Sequence, residues 1–180
     1  MAYRSGTHGV TIVGNIRLQL AIQQIAFARS YTVRLLDQTK HDDWFRIPPA
    51  GVSHVAWQVG HLAMGQYRLA LERIRGSLPE DGNLISNAFL GLFARDSVPD
   101  ADAGKYPSAT EFRSVFDRVH EQVLRELATL DESELDKPLL KSHPLAKTKL
   151  ESLLWCAHHE MLHAGQIGLL RRQLGYRPLW

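Results

Sequence analysis

Residues 148–175 read TKLESLLWCAHHEMLHAGQIGLLRRQLG, and this stretch decides the fold. It opens on Thr148-Lys149-Leu150-Glu151, a capping box in which the side chain at each end satisfies a free backbone amide at the other. Cys156, Ile167, Leu170 and Leu174 then recur at helical spacing, on the face that also carries His159 and His163. Arg171 and Arg172 fall where the negative end of a helix would lie. Gly175 is placed as the C-terminal cap, and Pro178 follows just beyond. The pattern predicts one long helix, running to Leu174, with one face turned inwards.

Three more helices are predicted upstream. Ser108-Ala109-Thr110-Glu111, just after Pro107, is a second capping box, and Phe112, Val115, Val119, Val123, Leu127 and Leu130 follow at spacings of three and four. Another helix spans about Val52 to Arg75, entered after Pro48 and Pro49 and closed by Gly76. The first spans about Ile12 to Asp37, with Ala21, Ile25, Ala28, Thr32 and Leu35 on one stripe. Nothing alternates long enough to read as a strand, so the expected fold is all-α, a single four-helix-bundle domain over residues 1–180. The connection from Ser77 to Pro107 is long for a helix–helix link and would let the second and third helices run in the same direction. Its apolar cluster, Ala88, Phe89, Leu90, Leu92 and Phe93, predicts a short helix over one end of the bundle.

Composition excludes several functions. The net charge of +2 arises from 21 basic and 19 acidic residues spread along the chain, leaving no basic stripe for nucleic acid. No apolar run approaches the ~20 residues of a membrane span. Met1 to Gly9 lacks the apolar core of a signal peptide, and the single cysteine, Cys156, forbids an intrachain disulfide. A cytoplasmic location is the expectation.

The histidines carry the chemistry. His159 and His163 lie one helical turn apart on the inward face, where a bare imidazole is costly unless it hydrogen-bonds or binds something. Two such imidazoles can grip one ion, and a third ligand must come from another helix. His54 and His61 share a face of the second helix but stand roughly 10 Å apart along it, so both cannot serve the same ion. His61 is the better choice, since Trp57, Val59, Leu62 and Met64 surround it. Gly60, Gly65 and Gly165 flank these histidines, and glycine inside a helix suggests close approach of two backbones. His54, His120, His143 and His158 read individually as packing or surface residues, and Cys156 as packing rather than as a ligand. Gln58 and Gln166, each three residues from a ligand, are either orienting partners or solvated amides.

These residues bear a resemblance. Gly60-His61-Leu62 after an apolar helical start, and His159-Glu160-Met161-Leu162-His163-Ala164-Gly165-Gln166-Ile167, resemble the DinB/YfiT-like superfamily. Tyr106-Pro107-Ser108 and the Leu-Arg-Arg-Gln-Leu-Gly ending from Leu170 to Gly175 are similar as well, so the resemblance covers nearly the whole chain. It implies a four-helix bundle connected up-down-down-up, and a metal held by one histidine of the second helix and two of the fourth. Those match His61, His159 and His163. Relatives of known activity include transferases that use low-molecular-weight thiols such as bacillithiol and mycothiol, and a thiol-dependent isomerase. Others are described as metal-dependent hydrolases.

Three neutral imidazoles leave an ion one open position, whereas structural zinc sites are closed by four protein ligands. An open ion can activate water for hydrolysis or stabilise a thiolate for transfer. One divalent ion, zinc or nickel, is therefore the expected cofactor, and the resemblance implies a low-molecular-weight thiol as well, with a small molecule as substrate. A site sealed by a fourth ligand would instead mark a non-catalytic metal-binding stress or detoxification protein. The string from His159 to His163 also matches HExxH, in which the glutamate is a general base. A peptidase is disfavoured, because no strand is available to hold a peptide; Glu160 is then a base, a solvated charge or a helix-pairing charge. Phe27, Trp44, Trp155 and Trp180 are more large aromatics near helix edges and ends than one bundle needs to bury, which together with the resemblance predicts a homodimer.

Overall fold

The computed structural model describes residues 16–94 and 96–179. These residues are all-helical, with no strand among them beyond an isolated bridge between Pro138 and Thr148. Helix α1, Ile16–Asp37, buries Leu18, Ala21, Ile25, Ala28, Thr32 and Leu35 along the predicted stripe. The expected start at Ile12, like Trp180, lies outside the described residues.

Helix α2, Val55–Tyr67, starts three residues later than expected because His54 is its N-cap. His54 has extended backbone, and its Nδ1 accepts from the Trp57 amide at 3.1 Å. Its Nε2 therefore carries the proton, donated to the Asp100 carbonyl at 3.0 Å. A π segment, Arg68–Glu72, and a last turn, α3 (Arg73–Arg75), extend α2 until Gly76, whose φ of 90° ends it. Periodicity gave no warning of the π segment, in which the Leu69 carbonyl accepts from the Ser152 hydroxyl at 2.7 Å. The crossover carries two short helices, α4 (Asp81–Leu84) and α5 (Asn87–Leu92). The apolar cluster is thus helical as expected, and Phe89 and Phe93 pack against Phe112 on the flank of the core.

Helix α6, Ala109–Leu127, realises half of its capping box: Ser108 accepts from the Glu111 amide, while the Glu111 carboxylate accepts from Arg118 instead. Helix α7, Lys149–Gln173, has the complete box between Thr148 and Glu151. It ends in paired bonds, Gly175 N–H to the Arg172 carbonyl and Tyr176 N–H to the Arg171 carbonyl, around a left-handed Gly175. α7 packs on both α1 and α2, and α2 packs on α6. The core between them holds Ile25, Val59, Leu62, Phe112, Phe116, Leu153 and Ile167.

Two of the supposedly spare aromatics belong to this core. Trp44 is 1% exposed and Trp155 is half-buried against it; Phe27 alone of the described three stands out, at 66%. Among the described residues no helix is long and apolar enough to cross a membrane.

Candidate metal centre

The face of α2 that carries His61 meets the face of α7 that carries His159 and His163. One ligand atom from each ring lies within 4.8 Å of the others. His61 Nε2 and His159 Nε2 are 3.3 Å apart, and the His61 and His163 ring centres 4.6 Å apart. Nitrogens that close fit a single shared ion, since Zn–N bonds of about 2 Å bring ligand atoms to such separations. No cysteine or carboxylate joins the group among the described residues.

Burial keeps these rings neutral. It lowers His61 to about 4, with the charges of His163 and Arg68 adding to the effect, and His159 to about 3. His163 is lowered too, again by burial. Neutral imidazole is the form that ligates, so the site is preset for a cation.

Gln58 fixes one ring. It is buried, its Oε1 accepts from His163 Nδ1 at 2.6 Å, and its own amide donates to the Ser53 hydroxyl at 2.9 Å. With Nδ1 protonated, the lone pair of His163 is on Nε2. Gln166 is exposed yet also hydrogen-bonds the His163 side chain, an interaction that opposes the lowering by burial. Trp57 stacks on His61 with ring centres 4.9 Å apart and 12° between planes.

None of the three glycines admits a second backbone as expected; one of them admits a ligand ring. A Cβ on Gly65 would stand 2.8 Å from His159 Cε1, so His159 occupies the space a side chain would fill. A Cβ on Gly60 would meet Phe93 Cζ at 2.1 Å and Phe112 Cε1 at 2.5 Å, away from the imidazoles. Around Gly165 there is open space.

The remaining candidates are accounted for locally. His54 is the helix cap described above, His120 Nδ1 accepts from Gln66 at 3.1 Å, and His158 is exposed. The Cys156 thiol is buried and pushed up by desolvation, which leaves it protonated and packed. Glu160 is not a solvated charge. It is 2% exposed and accepts from Arg29 Nε at 2.8 Å and Nη2 at 3.3 Å. Arg29 also donates to Gln66 Oε1 at 2.7 Å and to the Phe116 carbonyl at 2.6 Å, with its guanidinium over the Phe116 ring. The sequence reading missed this network. The signal was an arginine beside Ala28, within the apolar stripe of α1.

A helical scaffold that converges three neutral imidazoles from two helices, two of them one turn apart, defines a protein with a candidate metal centre. The sequence profile of the DinB superfamily matches residues 24–167, and the chain belongs to that superfamily. A solved structure described as the conserved protein of locus from Enterococcus faecalis is similar over 86% of this chain and 95% of that one. The TM-score is 0.67 and the identity 17%, a likeness of fold. No curated protein matches the chain.

Proposed function

We propose that this protein is a divalent-metal-dependent enzyme acting on small molecules, either a hydrolase or an S-transferase for a low-molecular-weight thiol. The observation that carries the proposal is a set of three neutral histidines that no fourth protein ligand joins among the described residues. Structural sites are closed, whereas catalytic ones keep a position for substrate. A bound ion, zinc or nickel, would supply Lewis acidity at that position.

The chain's own residues then act as holders and orienters. Gln58 holds the His163 proton on Nδ1, Trp57 keeps the plane of His61, and Gly65 makes room for His159. Glu160 serves in this reading as the counter-ion that locks Arg29 between α1 and α7, not as a base.

The same reading takes the bundle as up-down-down-up, and the contacts support it. Arg113 at the start of α6 pairs with Asp37 at the end of α1, and Arg75 with Glu126 near the end of α6. The Leu35 carbonyl near the end of α1 accepts from Arg171 near the end of α7. A homodimer in the cytoplasm completes the proposal; Leu20, Phe27 and Met161, exposed on adjoining faces of α1 and α7, favour such an interface.

The test is turnover by zinc-loaded protein against chelated protein and His61→Ala, with p-nitrophenyl esters and with a thiol plus an aryl halide. Metal-dependent turnover in either assay is expected. Tight metal binding without turnover across a broad panel would favour the non-catalytic alternative.

A further inference from the structure

A second feature lies against the metal centre without belonging to it. Trp57, His61, Met64 and Arg68 form one stripe along α2 and its π segment, and with Phe93, Ala94, Asp96 and Ser97 they line a cavity of about 350 Å³. Three buried polar atoms of this lining have no hydrogen-bond partner: Trp57 Nε1, His61 Nδ1 and Ser97 Oγ. Orphaned buried groups are rare and costly, so three at one cavity call for a common explanation.

Their chemistry agrees. The indole nitrogen can only donate, the serine hydroxyl can donate, and His61 Nδ1 carries the proton whenever Nε2 is a ligand. The Arg68 guanidinium, which lines the same cavity, makes no hydrogen bond or ion pair among the described residues. Its helical neighbour Glu72 is taken by Lys141 at 2.6 Å. The remaining lining, Met64 and the Trp57 and Phe93 rings, is apolar.

We infer that this cavity is an anion subsite, which takes the carboxylate of a small aromatic or aliphatic acid on Arg68, Trp57 Nε1 and Ser97 Oγ, with its apolar body against Phe93 and Met64. The donor set suits a carboxylate, because an acceptor-only group can satisfy several converging donors at once. Asp96 is the one acidic group of the lining. It is exposed, so solvent screens its repulsion, and its left-handed backbone (φ 73°) suits asparagine equally well. The inference goes beyond the proposed function: it names a ligand class for a cavity beside the metal centre, and the Arg68 limb does not need the metal.

The test uses the full chain, zinc-loaded and chelated, with benzoate and 3-phenylpropionate as probes and benzamide as the neutral control. Binding is followed by calorimetry and by the Trp57 indole N–H resonance, assigned through its loss in Trp57→Phe. Both acids should bind and move that resonance, and benzamide should bind at least tenfold more weakly. Arg68→Gln should weaken benzoate tenfold or more, the loss of one charge-assisted hydrogen bond. Asp96→Asn should tighten it. Metal content and helical circular dichroism of each variant are measured alongside, so a misfolded variant is recognised; Ser97→Ala, expected to weaken benzoate a few-fold, is the second probe. Failure of the metal reading would show as no retained zinc with Arg68-dependent binding intact. Benzoate affinity indifferent to Arg68→Gln, equal affinity for benzamide, or binding that needs only the metal would overturn the proposal.

Discussion

Gln58 Oε1 lies 2.6 Å from His163 Nδ1, and that single hydrogen bond decides which nitrogen of His163 faces the other two imidazoles. A carbonyl oxygen can only accept, so Nδ1 must donate and Nε2 must keep its lone pair. Gln58→Ala is therefore expected to retain the three histidines yet lower zinc affinity by roughly 10–100-fold, the usual effect of losing a partner that orients a ligand. Competition against a chromophoric chelator measures this. Wild-type affinity in Gln58→Ala would show that the bond does not orient the ring.

Metal stoichiometry checks the ligand set itself. One divalent ion per chain is expected, lost in His61→Ala and His163→Ala and kept in His54→Ala and His158→Ala. His54→Ala should nonetheless cost about 1 kcal/mol of stability, because it removes the N-cap of α2. Metal analysis with urea denaturation separates the two effects. Undiminished zinc in His61→Ala would sink the assignment.

The glycines offer a finer contrast. Gly65→Ala places a methyl 2.8 Å from His159 Cε1, so the ring must shift and zinc affinity should fall. Gly165→Ala meets nothing within 4 Å, so it should leave affinity alone and stabilise α7 by up to about 1 kcal/mol. Equal zinc affinity in the two variants would mean that His159 tolerates displacement.

Arg29 and Glu160 form an ion pair with side chains only 5% and 3% exposed. Arg29→Met leaves a buried carboxylate uncompensated and should cost about 3–5 kcal/mol, whereas pairing it with Glu160→Met should recover much of the loss. Chemical denaturation of the two variants reads this directly. A double variant no more stable than Arg29→Met alone would argue that Arg29 acts mainly through Gln66 and Phe116.

Acid should weaken the metal-free fold in a defined window. His61 titrates at about 4 and His159 at about 3 when folded, against about 6.5 for a free imidazole. Between those values the unfolded chain takes up protons that the folded chain refuses, so stability is complete above pH 6.5 and declines as pH falls towards 4. The Tm of chelated protein should thus be level from pH 7 to 8 and fall on acidification below about 6.5. The same lowered values leave protons weak competitors for the site. Zinc should be held to about pH 5, lower than the pH 6 that an ordinary imidazole suggests. A Tm that rises between pH 6.5 and 5 would contradict the assigned burial. Chelation itself should preserve the helical circular dichroism and only lower the Tm, because the apolar core does not depend on the ion.

The three histidines were legible in the sequence because helical period and apolar neighbours place them on inward faces and the family resemblance joins the two helices. His159 and His163 share a face by spacing, and His61 stands among apolar neighbours. The capping box at Thr148, the glycine at 175 and the helical nature of residues 87–92 were legible for the same reason: each is a local rule acting within a few residues. Beyond that ligand set, what involved two elements was not. That His54 caps α2 depends on the Trp57 amide and on Asp100, from the crossover. That Glu160 is a buried partner of Arg29 depends on α1 and α7 lying side by side, since HExxH spacing is the same whether the glutamate faces an ion or an arginine. The orientation of His163 by Gln58, the ring that fills the space beside Gly65 and the unpartnered donors around Arg68 arise only when helices distant in sequence meet. The period of a helix places side chains on a face, but the contacts made by that face are fixed by packing between elements, and one sequence does not print those.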